Sequence, residues 1–480
     1  MECMFDVAII GAGVVGGMLA RTLAKYDLKL CILEKENDVA MGATKANSAI
    51  VHAGFDAETG SLKARLNVAG AEKMPQICRE LGVKYRNNGS LVIGFDADDR
   101  AALEALCRRG VANGVKNLRV IEKEELQALE PNLSENAVCA LHAPTAGIVC
   151  PYELAIAAVG NAMDNGAVLH CNFEVKNIQA LADGYKISDG ERSVQARFVV
   201  NCAGTRSDEV AQLAGDDSFR ITPRKGEYIL LDKECGSLVS HTIFRTPTKM
   251  GKGILVSPTV DGNLLLGPTA MDICSKEDNG TSAEGVADVI RNARQMMKTV
   301  PLHQMVTSFC GLRAVGSTGD FIINAPQKAF IQAAGIESPG LTASPAIAEM
   351  ITEMLADQGL VLREKENYNP CRPAMHAFRQ MSIQEKNEII RENPAYGRVV
   401  CRCEGITEGE ILAAIRTNPP ARDLDGVKRR TRAQMGRCQG GFCGPYITEL
   451  LASELQIPYE CVTKFGGNSY INVGKTKEGR

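Results

Sequence analysis

Four cysteines near the C-terminus carry the first chemical signal. Cys401 and Cys403 are separated by one residue, and after 34 intervening residues Cys438 and Cys443 follow in the run Arg437-Cys438-Gln439-Gly440-Gly441-Phe442-Cys443-Gly444-Pro445. Four thiolates spaced C-x-C and C-x4-C can hold a [2Fe–2S] cluster or a structural zinc, although zinc ribbons use C-x2-C knuckles. Each pair adjoins a helix-start signal: Thr407 and Glu410 form a T-x-x-E capping box, and Pro445 suits a first helical turn. Helix N-termini present bare N–H groups and partial positive charge, which stabilise thiolates. Lys428, Arg429, Arg430, Arg432 and Arg437 surround the second pair. They read either as a solvated basic face or as charge compensation and a docking face for an acidic electron carrier.

The elements that position this chemistry are clearest at the other end. Residues 5–10 read as a buried parallel strand, Met18 to Lys25 as a helix, and Lys29 to Leu33 as a second strand ending at Glu34. Between the first two lies Gly11-Ala12-Gly13-Val14-Val15-Gly16-Gly17. In this strand–turn–helix context G-x-G-x-x-G is a dinucleotide fingerprint. Gly11 permits the tight turn, Gly13 lets a pyrophosphate approach the backbone, and Gly16 lets helix and strand pack closely. Glu34, 23 residues after Gly11, is placed to accept from ribose hydroxyls. Two later strands also run into glycine: residues 198–202 into Ala203-Gly204, and residues 330–334 into Gly335-Ile336.

At 480 residues the chain is long enough for two or three domains. Its net charge of −3 gives no case for nucleic acid or an anionic membrane surface. With 45% hydrophobic and 23% charged residues it has the composition of a globular protein. It shows no apolar run long enough for a transmembrane segment and no signal peptide, so a cytoplasmic location is expected. Of 17 cysteines, isolated ones such as Cys31, Cys107, Cys171, Cys202 and Cys310 sit in apolar contexts and read as small buried hydrophobes.

The order of these segments resembles the FAD-dependent D-amino-acid-oxidase-like superfamily. Residues 42–55 (Gly42 to Phe55), Pro223-Arg224-Lys225-Gly226-Glu227-Tyr228, residues 251–259, Gly267-Pro268-Thr269 and Gly311-Leu312-Arg313 resemble glycerol-3-phosphate oxidases and dehydrogenases over about residues 5–360. L-2-hydroxyglutarate oxidases share much of this. Residues 397–460 resemble the bacterioferritin-associated-ferredoxin-like [2Fe–2S] module, which favours iron–sulfur over zinc at Cys401, Cys403, Cys438 and Cys443. The resemblance implies an α/β fold. A GR2-type FAD-binding Rossmann-like domain (1–80, 145–215 and 320–360) is interleaved with an antiparallel-sheet substrate domain (81–144 and 216–319). A linker or strap (361–396), with a helix capped by Ser382 and Glu385, leads to the small helical [2Fe–2S] domain (397–460) and a loose tail (461–480).

It also assigns roles. FAD is expected to contact Gly11, Gly13, Val14, Val15, Gly16, Glu34, Lys35, Thr44, Asn47, Ser48, Val51, His52, Val175, Ala203, Gly204, Gly335, Ile336, Gly340, Leu341 and Thr342. A lone histidine is ordinarily structural, but in this motif His52 stands beside the flavin ring as base for the substrate hydroxyl. A histidyl–flavin bond is the lesser possibility. Lys252, otherwise a hairpin lysine in solvent, approaches flavin and substrate. Arg313 is either a surface ion-pair residue or the anion clamp, with Thr269 beside it and Arg224 and Lys225 as weaker candidates. The expected function is oxidation of the small anionic metabolite sn-glycerol 3-phosphate to dihydroxyacetone phosphate. Electrons are expected to pass through the [2Fe–2S] centre to a partner protein or second subunit. The rivals are a 2-hydroxy-acid dehydrogenase, an amine or opine dehydrogenase, and a non-catalytic electron-transfer subunit.

Overall fold

The structure is a computed structural model that describes residues 4–246, 253–374, 377–474 and 477. The strand Phe5–Ile10 buries its last four residues on both faces, as an apolar run in a covered parallel sheet must. It lies between Leu30–Leu33 and Ser193–Asn201, parallel to both. Val168–His170 extends the sheet beyond Leu30–Leu33, and Phe330–Ala334 runs parallel to Ser193–Asn201. Three antiparallel strands, Asn177–Leu181, Gly184–Ser188 and Ile322–Gln327, complete it. Helices Val14–Leu23, Pro151–Asp164 and Gly340–Asp357 pack together on one face over the largest apolar core. Phe173, Tyr185 and Phe330 fill the other.

The first helix begins at Val14, four residues before the sequence reading. Its first turn, Val14-Val15-Gly16-Gly17, has poor helix propensity. Tertiary contacts override that: Thr44 Oγ1 accepts from the Val14 N–H at 3.0 Å.

A second, nine-stranded sheet is centred on Ile221–Leu231. Met305–Gly316 lies along one side of this strand, and Leu264–Gly267 and Met271–Asp272 along the other. All its pairings are antiparallel except that of Thr242–Arg245 with Ser90–Gly94. A three-stranded sheet of Ile50–Val51, Gly147–Val149 and Tyr85–Arg86 carries the chain to His52.

The C-terminal unit is a small hairpin, Val399–Cys401 with Ile406–Thr407, and helices Glu408–Arg416, Leu424–Thr431 and Gly444–Leu455. Both helix-start signals are present: the Thr407/Glu410 capping box closes in both directions, and Pro445 occupies the first turn. The Ser382/Glu385 box likewise starts Ile383–Glu392. The segment after residue 360 is tied to the first sheet's unit by Asp27 N–H to Arg363 O and Arg372 N–H to Glu80 O, each 2.7 Å. The expected loose tail is tied for its first part, because Leu424 and Asp425 N–H groups donate to Thr463 and Lys464 carbonyls. Among the described residues no helix is long and apolar enough to cross a membrane.

Candidate active site and cluster site

The carboxyl ends of the parallel strands converge on one edge, where such sheets bind nucleotides. There Gly11, Glu34, Ala203-Gly204 and Ile336 open a cavity of about 1140 Å³. Gly11 has φ +106°, and a Cβ there would stand 2.4 Å from Cys202 O; at Gly16 a Cβ would stand 2.0 Å from Gly11 O. These positions admit no side chain. Gly13, the N-cap, offers no side-chain oxygen, so beyond the Val14 N–H that Thr44 takes, the helix N-terminus stays open toward the cavity for a phosphate. Glu34 is buried and accepts from the N–H groups of Ala12 (2.8 Å) and Glu36 (3.0 Å). Burial pushes its carboxyl above the usual range, and those two N–H groups pull the other way. A bare glycine cradle, an open helix end and an acid at the second strand fit a dinucleotide flavin.

Of the expected cofactor contacts, Gly11, Gly13, Val14, Val15, Glu34, Lys35, Thr44, Asn47, Ser48 and His52 line the cavity from the N-terminal segment. Val175, Ala203, Gly204, Ile336, Gly340 and Leu341 line it from the later returns, and Arg313 lines it from the second sheet. Gly16, Val51, Gly335, Thr342 and Thr269 stand behind this lining. Two of them position others: Thr342 Oγ1 accepts from the His52 N–H at 2.9 Å, and Thr269 O accepts from Arg313 Nη2 at 2.6 Å.

His52 is half-buried, with Nε2 3.3 Å from Ser338 Oγ and its ring 5.9 Å from that of Phe244. Tyr228 closes the wall, its hydroxyl 3.2 Å from Ser48 Oγ and its ring stacked on Phe309. Ser338, Phe244 and Tyr228 were not among the expected site residues. Phe244 lies in a strand that carries no motif, whereas Tyr228 lay inside a segment already singled out and Ser338 lies between the expected contacts Ile336 and Gly340. Arg313 makes no ion pair with a described residue, and its Nε is buried without a partner. Arg224 is doubly bonded to Asp272 (2.6 and 3.0 Å), and Lys225 holds Asp278 (2.9 and 3.0 Å). Both weaker anion candidates are therefore already neutralised. Lys252 lies outside the described residues.

The four C-terminal sulfurs come together. Cys401 Sγ is 3.9 Å from Cys403 Sγ, which is 3.8 Å from Cys438 Sγ, and Cys443 bonds Cys401 at the other end. A single tetrahedral zinc would gather all four sulfurs to within about 4 Å of one another. Among the described residues the only three metal-ligand atoms so gathered, within 4.8 Å, lie elsewhere, at Cys150, Glu153 and Asp261. The strung-out order 443–401–403–438 suits a two-iron cluster. Burial disfavours the Cys438 thiolate, but N–H groups of Phe442 and Gly440 aim at its sulfur and hold its pKa below the usual value.

Three of the basic residues beside the cluster, Arg429, Arg430 and Arg432, are buried rather than part of a solvated face. Asp38 accepts from Arg429 Nη2 (2.5 Å) and from both Arg430 Nη atoms (2.7 Å each), and all three residues are buried. Arg432, at φ +70°, reaches Asp261 (2.8 Å), Asn263 (3.1 Å) and Glu404 (3.1 Å). Arg437 is exposed but joins Asp232 and Glu234. These contacts clamp the C-terminal unit onto the loop after Glu34 and onto the second sheet. Tyr152 OH meets Met435 Sδ at 3.7 Å in the same junction.

Comparisons agree with this geometry. A family described as FAD dependent oxidoreductase matches residues 6–354, and a BFD-like [2Fe-2S] binding domain matches residues 399–453. The glycerol 3-phosphate dehydrogenase of Caloramator mitchellensis is 46% identical over 476 residues, 99% of each chain. The human mitochondrial L-2-hydroxyglutarate dehydrogenase is 32% identical over 310 residues, 60% of this chain and 66% of its own. The dithionite-reduced L-alpha-glycerophosphate oxidase from Mycoplasma pneumoniae with FAD bound superimposes with TM-score 0.74 at 30% identity, over 78% of this chain and 99% of its own. The chain therefore belongs to the FAD-dependent oxidoreductase family and carries a C-terminal BFD-like [2Fe–2S]-binding domain.

Proposed function

We propose that this protein oxidises sn-glycerol 3-phosphate to dihydroxyacetone phosphate and delivers the electrons to a separate redox protein. The observation that carries the reading is Arg313, a guanidinium lining the cavity with no carboxylate partner among the described residues. A half-buried cation left unpaired is costly unless an anion completes the site. Bound FAD supplies the hydride acceptor and the cluster a one-electron store. The residues of the chain do the rest. Arg313 holds the non-reacting phosphate and so fixes the carbinol carbon. His52 Nε2 takes the hydroxyl proton, oriented by Ser338 Oγ and by the Thr342 bond to its own N–H. Phe244, Leu255 and Tyr228 keep water from the reacting end.

The domain division at residues 80, 144, 215, 319, 360 and 396 is proposed on the same basis: strands of the parallel sheet come from residues 5–33, 168–201 and 322–334. A reducing cytoplasm is supported by the sixteen described cysteines, all free.

The second reading is L-2-hydroxyglutarate or another 2-hydroxy acid, favoured by the relative of that activity and by the indifference of Arg313 to phosphate or carboxylate. Anaerobic flavin bleaching decides between them. Glycerol 3-phosphate should bleach faster than L-2-hydroxyglutarate, lactate or proline. A faster hydroxy acid would overturn the assignment.

A further inference from the structure

We propose that the face carrying Cys403, Cys438 and Phe442 is the docking surface for a small acidic one-electron carrier protein. This rests on the electron-delivering reading above. Two ligand sulfurs are sealed inside, with Cys401 1% and Cys443 3% exposed, whereas Cys403 is exposed and Cys438 half-exposed. A partner can approach the cluster only from that second side.

Phe442 projects from the same turn, 89% exposed. The turn is pinned by Gln439 N–H to Gly436 O, Gly441 N–H to Cys438 O and Gly444 N–H to Gly440 O, so the ring is held outward rather than free to fold back. An aromatic ring kept in water beside an electron exit has the form of a docking anchor, since aromatic and arginine residues dominate interface energetics.

The charge around the anchor selects the partner. Arg402, between Cys401 and Cys403, is exposed and makes no ion pair among the described residues. Arg398 is exposed, only 3.4 Å from Glu408 at best, and lies 4.2 Å over the Tyr446 ring. The stronger cations of this region, Arg429, Arg430 and Arg432, are buried in the clamp. Arg402 therefore offers unpaired positive charge between two cluster cysteines, and it complements an acidic surface. One substrate yields two electrons and two protons. Two oxidised carriers must dock in turn, each leaving reduced by one electron.

The test uses full-length holoprotein and the variants Phe442→Ser and Arg402→Glu, after iron, sulfide and flavin contents are matched. The probes are a purified acidic [2Fe–2S] ferredoxin and basic cytochrome c. Binding is measured by calorimetry with both proteins oxidised, so no turnover enters. Ferredoxin should bind the wild type with an affinity that falls as salt rises, and each variant should bind about tenfold more weakly or worse. Substrate-driven reduction of a small dye should not change. Arg402→Glu keeps the test decisive should Phe442→Ser lose its cluster. The proposal is overturned if the wild type does not bind ferredoxin, if both variants bind as the wild type does, or if cytochrome c binds as tightly as ferredoxin. Should glycerol 3-phosphate fail to bleach the flavin while the ferredoxin pattern holds, the substrate assignment falls and the docking surface stands.

Discussion

Arg224 and Arg313 are direct partners across the antiparallel pair formed by Ile221–Leu231 and Met305–Gly316. Like charges set opposite each other destabilise a sheet. Asp272, opposite Arg224 on its other side, resolves half of the conflict with two bonds. Arg313 donates only to carbonyl oxygens and feels Asp272 at longer range, so it keeps capacity for an anion.

Removing that guanidinium should therefore act on binding more than on chemistry. Arg313→Ala is expected to raise KM for glycerol 3-phosphate by about a hundredfold, with a smaller change in kcat, because a desolvated charge-assisted pair contributes about 1.5–3 kcal/mol. Arg224→Ala should raise KM less. Steady-state kinetics with a dye acceptor make the comparison, and equal effects would show that the two arginines share the anion.

His52→Ala should slow flavin reduction by about a hundredfold or more while FAD stays bound, the usual consequence of losing a general base. Ser338→Ala keeps the base but removes the 3.3 Å contact at Nε2, so roughly a three- to tenfold loss is expected. Stopped-flow bleaching reads both. An unchanged rate in His52→Ala would remove it from the mechanism.

Asp38→Asn should loosen the C-terminal unit. It leaves Arg429 and Arg430 buried without a counter-charge, and breaking such a pair costs about 3–5 kcal/mol. Limited proteolysis should then cut within residues 361–396 while flavin is retained; wild-type resistance in the variant would mean that other contacts hold the unit. Burial resists ionisation of Asp38, but the two guanidinium groups outweigh it and hold its carboxyl below the usual range. A depressed folded-state pKa stabilises above the unfolded value of about 3.9 and is lost as pH falls through the folded value. Docking should therefore hold from neutral pH to about pH 4 and weaken below it.

Glu153 has the opposite sign. Burial, then nearby Asp261, push its carboxyl up to about 7. The folded state therefore holds its proton more tightly than the unfolded chain, and stability declines as pH rises between about 4.5 and 7. Glu153→Gln should raise the melting temperature by roughly a few degrees at pH 8 and hardly at all at pH 5. A gain independent of pH would place the effect in packing, not in charge.

What could be read from residue order was the chemistry whose parts lie close in sequence. The glycine turn with Glu34, the two cysteine pairs and the capping boxes at Thr407 and Ser382 each fit within a short window; the turn and both boxes form, and the cysteine sulfurs come together. The run from Lys428 to Arg437 was misleading for the converse reason. Arg429, Arg430 and Arg432 are neutralised by Asp38, Asp261 and Glu404, and Asp38 is separated from Arg430 by 392 positions, so no local pattern reveals the pairing. Arg224 was misleading likewise, since a cross-strand aspartate 48 positions away occupies it. Phe244 came to His52 only through the pairing of distant strands.

The clamp on Asp38 also sets an order in time. Asp38 is synthesised nearly four hundred positions before Arg429 and Arg430. At about 5–20 residues per second that interval is roughly 20–80 s. Throughout it, the loop that borders the nucleotide end of the cavity is held only by contacts of its own part of the chain. A nascent chain thus has a long window in which to take up its flavin before the later-made segment fastens that loop.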